Sequence, residues 1–67
     1  MKGTIIGWDG AWTLYRIWIR EENNNISSIP VEHRYFSQIM EDKGGIVGKE
    51  IEYRDNSIYF LEDIERS

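Results

Sequence analysis

Cysteine is absent from this chain of 67 residues, which excludes a disulfide framework and any thiolate metal site and is compatible with a reducing compartment. Histidine occurs once, at His33, so a histidine-rich metal centre cannot form within one chain. Long apolar runs are also missing, and nothing approaches the roughly 18 consecutive apolar residues of a membrane span. The opening MKGTII holds one lysine and then meets Trp-Asp-Gly, which is not the pattern of a secretory signal. The expectation is a soluble, cytoplasmic chain without membrane association. The sequon Asn25-Ile26-Ser27 is then without consequence, because glycosylation requires secretion.

Positive charge is scarce as well. Eight basic residues face twelve acidic ones, for a net charge of −4, which argues against broad electrostatic attraction to phosphate. The distribution is uneven: residues 1–20 carry three basic residues against one acidic, and residues 21–67 carry five against eleven. At this length there is room for one small domain, 1–67, whose core contributes only about 3–5 kcal/mol net. Aromatic packing or self-association must therefore supply what disulfides and metals do not.

What the chain does have is concentrated in GWDGAWTLYRIWIR, residues 7–20, which hold all three tryptophans. Lys2–Trp8 and Ala11–Arg20 are rich in β-branched and aromatic residues. Asp9-Gly10 between them is the preferred chemistry of a two-residue type I′ turn. That turn predicts a hairpin over 2–20 in which Trp8 pairs with Ala11, Gly7 with Trp12, Ile5 with Leu14 and Gly3 with Arg16. One face then carries Gly3, Ile5, Gly7, Trp12, Leu14, Arg16 and Trp18. The other carries Lys2, Thr4, Ile6, Trp8, Thr13, Tyr15, Ile17 and Ile19, of which Ile6, Thr13, Ile17 and Ile19 read as core, and neither face is cleanly polar. On the first face, a large ring opposite a glycine would cover bare backbone.

EENNNISS, residues 21–28, reads as a polar loop with room for a short strand at 26–29. Pro30 is then tolerated in the first turn of a helix. Val31, Tyr35, Phe36, Ile39 and Met40 fall on one stripe of a 3.6-residue period, and Gly44-Gly45 supplies a stop, so a helix is expected from about 31 to 43. The second hairpin, 48–62, turns at Asp55-Asn56, with Tyr53 opposite Ile58 and Ile51 opposite Phe60. The charged tail, 63–67, is expected to fray. The fold class is α+β: a small antiparallel sheet or half-open barrel of four to five strands in ββαββ order, with one helix packed on it.

No catalytic, cofactor-binding or metal-binding motif is met. GGIVGKE at 44–50 has three residues rather than four between its glycines, Glu50 in place of the hydroxyl, and a helix-to-strand setting, so it is not a phosphate loop. His33 beside Glu32 lacks a nucleophile to complete a relay, and adjacent helical residues point in different directions. Arg34 reads as a surface charge. The carboxylate pairs Glu21-Glu22, Glu41-Asp42 and Glu62-Asp63 have no fixed separation and no calcium-loop spacing, so they read as solvated faces.

The remaining set is Trp12, Arg16, Trp18 and Arg20. Tryptophan and arginine are enriched at the hot spots of protein interfaces. Aromatic rings with interleaved arginines can equally stack unpaired bases while guanidinium groups meet phosphates. Burial beneath the helix or in a homodimer contact would be a third use. MKGTIIGW and FSQI, residues 36–39, resemble the cold-shock proteins, small barrels whose strand aromatics stack single-stranded bases. That resemblance implies stacking positions at Tyr15, Trp18, Tyr35 and Phe36. The chain departs from the family where TLYRIWI replaces its glycine-aromatic strand and where VEHRYFSQIM has helical periodicity.

The expectation from the sequence is a non-enzymatic acidic binding module, without cofactor, that docks on a protein partner as a small inhibitor or regulator. Trp12, Arg16, Trp18 and Arg20 would be its anchors. A single-stranded nucleic-acid-binding small barrel of OB or cold-shock type, using the same face, is the second expectation.

Overall fold

The computed structural model describes residues 1–66. Within them are β1 (Lys2–Ala11), β2 (Leu14–Glu21), β3 (Ile26–Glu32), α1 (His33–Lys43), β4 (Glu50–Arg54), β5 (Ser57–Phe60) and α2 (Leu61–Arg66). All strands join one antiparallel sheet in the order β3-β2-β1-β4-β5. Three hairpin-linked strands with the fourth returning beside the first make a Greek key, and α1 lies in the long connection that makes the return. The α+β class and antiparallel sheet are as the sequence indicates. The element order differs from ββαββ by a third strand before α1 and a second helix after β5.

The second hairpin follows the sequence pattern closely. Asp55 and Asn56 both have positive φ, 51° and 59°, as a two-residue turn of this kind requires. Tyr53 pairs with Ile58 and Ile51 with Phe60. Ile51, Ile58 and Phe60 are buried, while Glu50, Arg54 and Tyr59 are exposed.

The first hairpin turns elsewhere. Ala11 pairs with Leu14, so the two-residue turn is Trp12-Thr13, and Asp9-Gly10 lies inside β1 opposite Arg16 and Tyr15. The register also shifts between Ile5 and Gly7. Ile6 is the extra residue of a β-bulge there, which reverses the facing of everything on its N-terminal side. Ile5 thereby joins the core opposite Ile19 rather than the outward face. The partition within β2 is unaffected: Ile17 and Ile19 are fully buried, and Arg16, Trp18 and Arg20 are exposed. Gly10 serves a close approach rather than a turn, because a Cβ there would collide with the Tyr15 ring.

β3 explains why the helix starts later than the apolar stripe suggests. Val31 is buried in β3, not on α1. Pro30 sits opposite Arg16, at a position of this edge strand whose missing N–H faces away from β2, where proline costs no ladder bond. α1 then runs His33–Lys43 and stops at Gly44, which has φ 76° and donates its N–H to the Met40 carbonyl.

The core lies on one side of the sheet. Its fully buried members are Ile5, Ile17, Ile19, Ile29, Ile46 and Ile51, and Phe36 and Ile39 from α1 join them. Phe36 stacks on Tyr15 with ring centroids 4.4 Å apart at 11°, and Trp8 lies 4.9 Å from Phe36. Tyr35 ties α1 to β5: its Oη accepts the Ile58 N–H at 2.9 Å. Tyr35→Phe leaves that half-buried donor without its acceptor. A loss of about 1–2 kcal/mol is expected, read as a lower urea midpoint with an unchanged slope.

The C-terminal segment is helical, and ionic contacts hold it. Lys43 Nζ reaches both Asp63 carboxylate oxygens at 2.7 Å, and Lys49 Nζ donates to Glu62 Oε1 at 2.6 Å. Residues 63–66, expected to fray, belong to α2 in the structure, and Ser67 lies outside the described residues. The hydrogen bond from Lys49 lowers the Glu62 pKa from its ordinary 4.5. The Asp63 hydrogen bond raises that of Lys43 from 10.5. A depressed carboxylate stabilises above its unfolded pKa and loses that contribution as pH falls through the folded one. A raised lysine stabilises below its unfolded pKa and loses it as pH rises through the folded one. The helical carbon chemical shifts of residues 61–66 are therefore expected to move toward coil values as pH falls below the ordinary Glu range and as it rises above the ordinary Lys range, before those of the sheet change. Helical shifts in α2 that stay unchanged when Glu62 and Asp63 are fully protonated would show that these contacts do not hold it.

Candidate docking face

On the side of the sheet away from the core, β2 presents Leu14, Arg16, Trp18 and Arg20 in alternation. Cross-strand partners share a face. Arg16 is therefore flanked by Asp9 and Pro30, Trp18 by Gly7 and Ser28, and Arg20 by Thr4 and Ile26. Successive members of the row are about 6.6–6.8 Å apart, twice the strand rise. The buried side chains of α1, Phe36 and Ile39, belong to the core on the opposite side, so neither of them lies over this row.

The row is accessible, and Trp18 is its central feature. Leu14 is 49% exposed, Trp18 36% and Ile26 51%. The indole does not cover the glycine opposite it, since a Cβ built on Gly7 meets nothing within 4 Å. Bare backbone therefore lies beside the ring, and the expected covering of glycine by tryptophan is not what this face uses. Arg16 is held in place by a hydrogen bond from Nη1 to Ser28 Oγ at 3.2 Å. A shallow depression lined by Asp9, Gly10, Leu14 and Arg16 continues the face toward the turn.

The structure thus brings Arg16, Trp18 and Arg20 into one row and places Trp12 apart. Trp12 is in the turn at the end of the row, with φ 64° and 93% of its surface exposed. Ile26, Ser28 and Pro30 complete the face from β3; the sequence pattern leaves room for a short strand at 26–29 but presents Pro30 as a helix start. Their signal was the alternation of Ile29 and Val31 around an edge proline.

Tyr15, Trp18, Tyr35 and Phe36, the stacking positions implied by the cold-shock resemblance, do not share a surface. Tyr15 and Phe36 stack on each other, Tyr35 bonds to Ile58, and only Trp18 faces outward.

The other groups weighed from the sequence are occupied structurally or isolated. His33 is exposed, with its ring 5.4 Å from that of Tyr15. Glu21 accepts a hydrogen bond from Ser27 Oγ at 2.6 Å. Glu62 and Asp63 serve the lysine contacts described above. Among the described residues no group of three or more His, Cys, Asp or Glu side chains could hold a metal ion. No helix among them is long and apolar enough to cross a membrane.

Comparison of the chain with protein-family models, with curated proteins and with solved structures finds no match in any of the three.

Proposed function

We propose that the chain is a non-enzymatic binding module that docks on a protein partner through the outward face of β2, as a small inhibitor or regulator. The observation that carries this reading is Trp18, exposed beside bare backbone at Gly7 and set between Arg16 and Arg20. An aromatic anchor flanked by guanidinium groups, with open space for a partner side chain, is the composition of an interface hot spot. Trp12 at the turn extends the contact beyond the row. The basic row on an acidic chain also favours a partner with acidic groups opposite the arginines.

Single-stranded nucleic acid is the second reading, and the strand order favours it. A five-stranded Greek key with a helix after its third strand fits a half-open barrel, and small barrels of that kind bind oligonucleotides on the face of strands 2 and 3. The likeness is one of fold and carries function only by analogy.

A titration of tryptophan emission with a thymidine oligonucleotide, at about 50 and 300 mM salt, separates the two. Docking on protein predicts no saturable change. Saturable quenching whose affinity falls steeply with salt would replace the protein reading with the nucleic-acid one.

A further inference from the structure

β1 is ten residues long, yet β4 pairs with only Lys2, Gly3 and Thr4. One residue further, Ile5 still exchanges bonds on that side, donating to the Lys49 carbonyl at 2.9 Å and accepting from the Gly48 N–H at 2.7 Å. From Ile6 to Ala11 the strand has β2 on one side and, among the described residues, no strand on the other. The ladder fixes which main-chain groups face that open side. Ala11 and Leu14 close a two-residue turn and form a hydrogen-bonded pair, so the bonded pairs running back along β1 are Asp9 with Arg16 and Gly7 with Trp18. Trp8 and Gly10 therefore aim their N–H and C=O groups away from β2. Among the described residues these groups have no main-chain partner.

The surroundings of that edge combine exposed apolar side chains with one acidic group. Trp8 and Ile6 are 42% and 39% exposed, and Val47, beside the Gly48 that bonds Ile5, is 61% exposed. Asp9, between the two free positions, is exposed and makes no ion pair among the described residues. The outer strands of the sheet are blunted, β3 by Pro30 and β5 by its length of four residues. The open half of β1 has neither device.

We propose that this edge receives an extended peptide segment of a partner protein as an added strand, a surface separate from the outward face of β2. Such a strand satisfies the Trp8 and Gly10 main chain, which gives affinity, while alternate side chains give selectivity. Its residues opposite Trp8 and Gly10 fall on the helix side of the sheet and are apolar. Its residue between them faces Asp9 in a non-bonded pair, where side chains lie closest, and is Lys or Arg. A second copy fits less well. Self-pairing centred on Asp9 sets two carboxylates directly opposite, and centring on Trp8 runs Gly10 against the bulged Ile6 of the other chain.

The test starts from random peptides displayed on phage and selected on the intact protein. A selected peptide is synthesised and its complex examined by amide exchange and chemical-shift mapping. The expected sequence is apolar-basic-apolar. The Trp8 and Gly10 amides should become protected, and N-methylation should abolish binding at one set of alternate peptide residues but not the other. Asp9→Lys should weaken binding at least tenfold with the spectrum of the fold retained.

Peptides that map to Arg16, Trp18 and Arg20 would overturn the edge proposal while leaving the docking face standing. It would also be overturned by tolerance of N-methylation in both sets, by absence of any selected binder, or by a concentration-dependent dimer that occupies Trp8 and Gly10.

Discussion

Ile17→Ala removes most of the stability of this chain. Ile17 has no exposed surface, and it sits in β2 between Trp8 on one side and Ile29 on the other. Truncating a buried isoleucine to alanine costs about 2–5 kcal/mol through lost transfer energy and the cavity left behind. A sheet held by strands on both sides has little freedom to close that cavity. A domain of this size holds only about 3–5 kcal/mol in total. The expected result is a melting temperature lower by more than about 10 °C, or a chain unfolded at room temperature, followed by circular dichroism. A fall of under about 4 °C would mean that Ile17 does not occupy the packed centre assigned to it.

The position of Ile17 also shows how far the sequence could be read. Alternation within β2 is visible because Tyr15, Ile17 and Ile19 oppose Arg16, Trp18 and Arg20 at a strict period of two. The register against β1 is not visible, since Asp9-Gly10 is a strong local turn signal. A turn there would bring Lys2 opposite Ile17 and leave Ile19 beyond the end of β1. The observed turn keeps Ile19 paired with Ile5, and both are fully buried. It places Trp12, not a glycine, at φ 64°, which costs about 1–3 kcal/mol of backbone strain. Burial of a pair of isoleucines offsets a cost of that size. Local turn preference is overruled by long-range packing, and only the bulge at Ile6 makes both halves of β1 compatible with one core.

Asp55-Asn56 had no such competitor. Ile51 and Tyr53 alternate with Glu50 and Glu52, and the turn at Asp55-Asn56 sets Ile51 against Phe60 and Tyr53 against Ile58, so the local turn signal and the apolar pairing agree. β3 was obscured for a different reason, because Pro30 and Val31 fit a helix start as well as an edge strand. Of the candidate site, the common facing of Arg16, Trp18 and Arg20 followed from period alone. The separation of Trp12 depended on a turn that no local pattern announces.

Trp18→Ala tests the function, and its neighbour Ile17 sets the contrast. The two are adjacent on β2, yet one is fully buried and the other 36% exposed. Deleting the indole removes no core contact with α1, so the fold should persist with a stability loss of about 1 kcal/mol, in the range of a half-exposed strand position. Binding should suffer more. A tryptophan hot spot costs at least about 2 kcal/mol when truncated, or roughly 30-fold in Kd.

The measurement is a pair of titrations by calorimetry against a partner isolated on the wild-type chain, with the fold of each variant followed by circular dichroism. Retained fold with a Kd weakened some 30-fold places the hot spot on the outward face of β2. Retained fold with unchanged Kd moves the partner off that face, and the free edge of β1 becomes the surface to probe. Loss of fold comparable to Ile17→Ala would mean that Trp18 belongs to the core, leaving Arg16 and Arg20 without the aromatic centre on which the proposed docking depends.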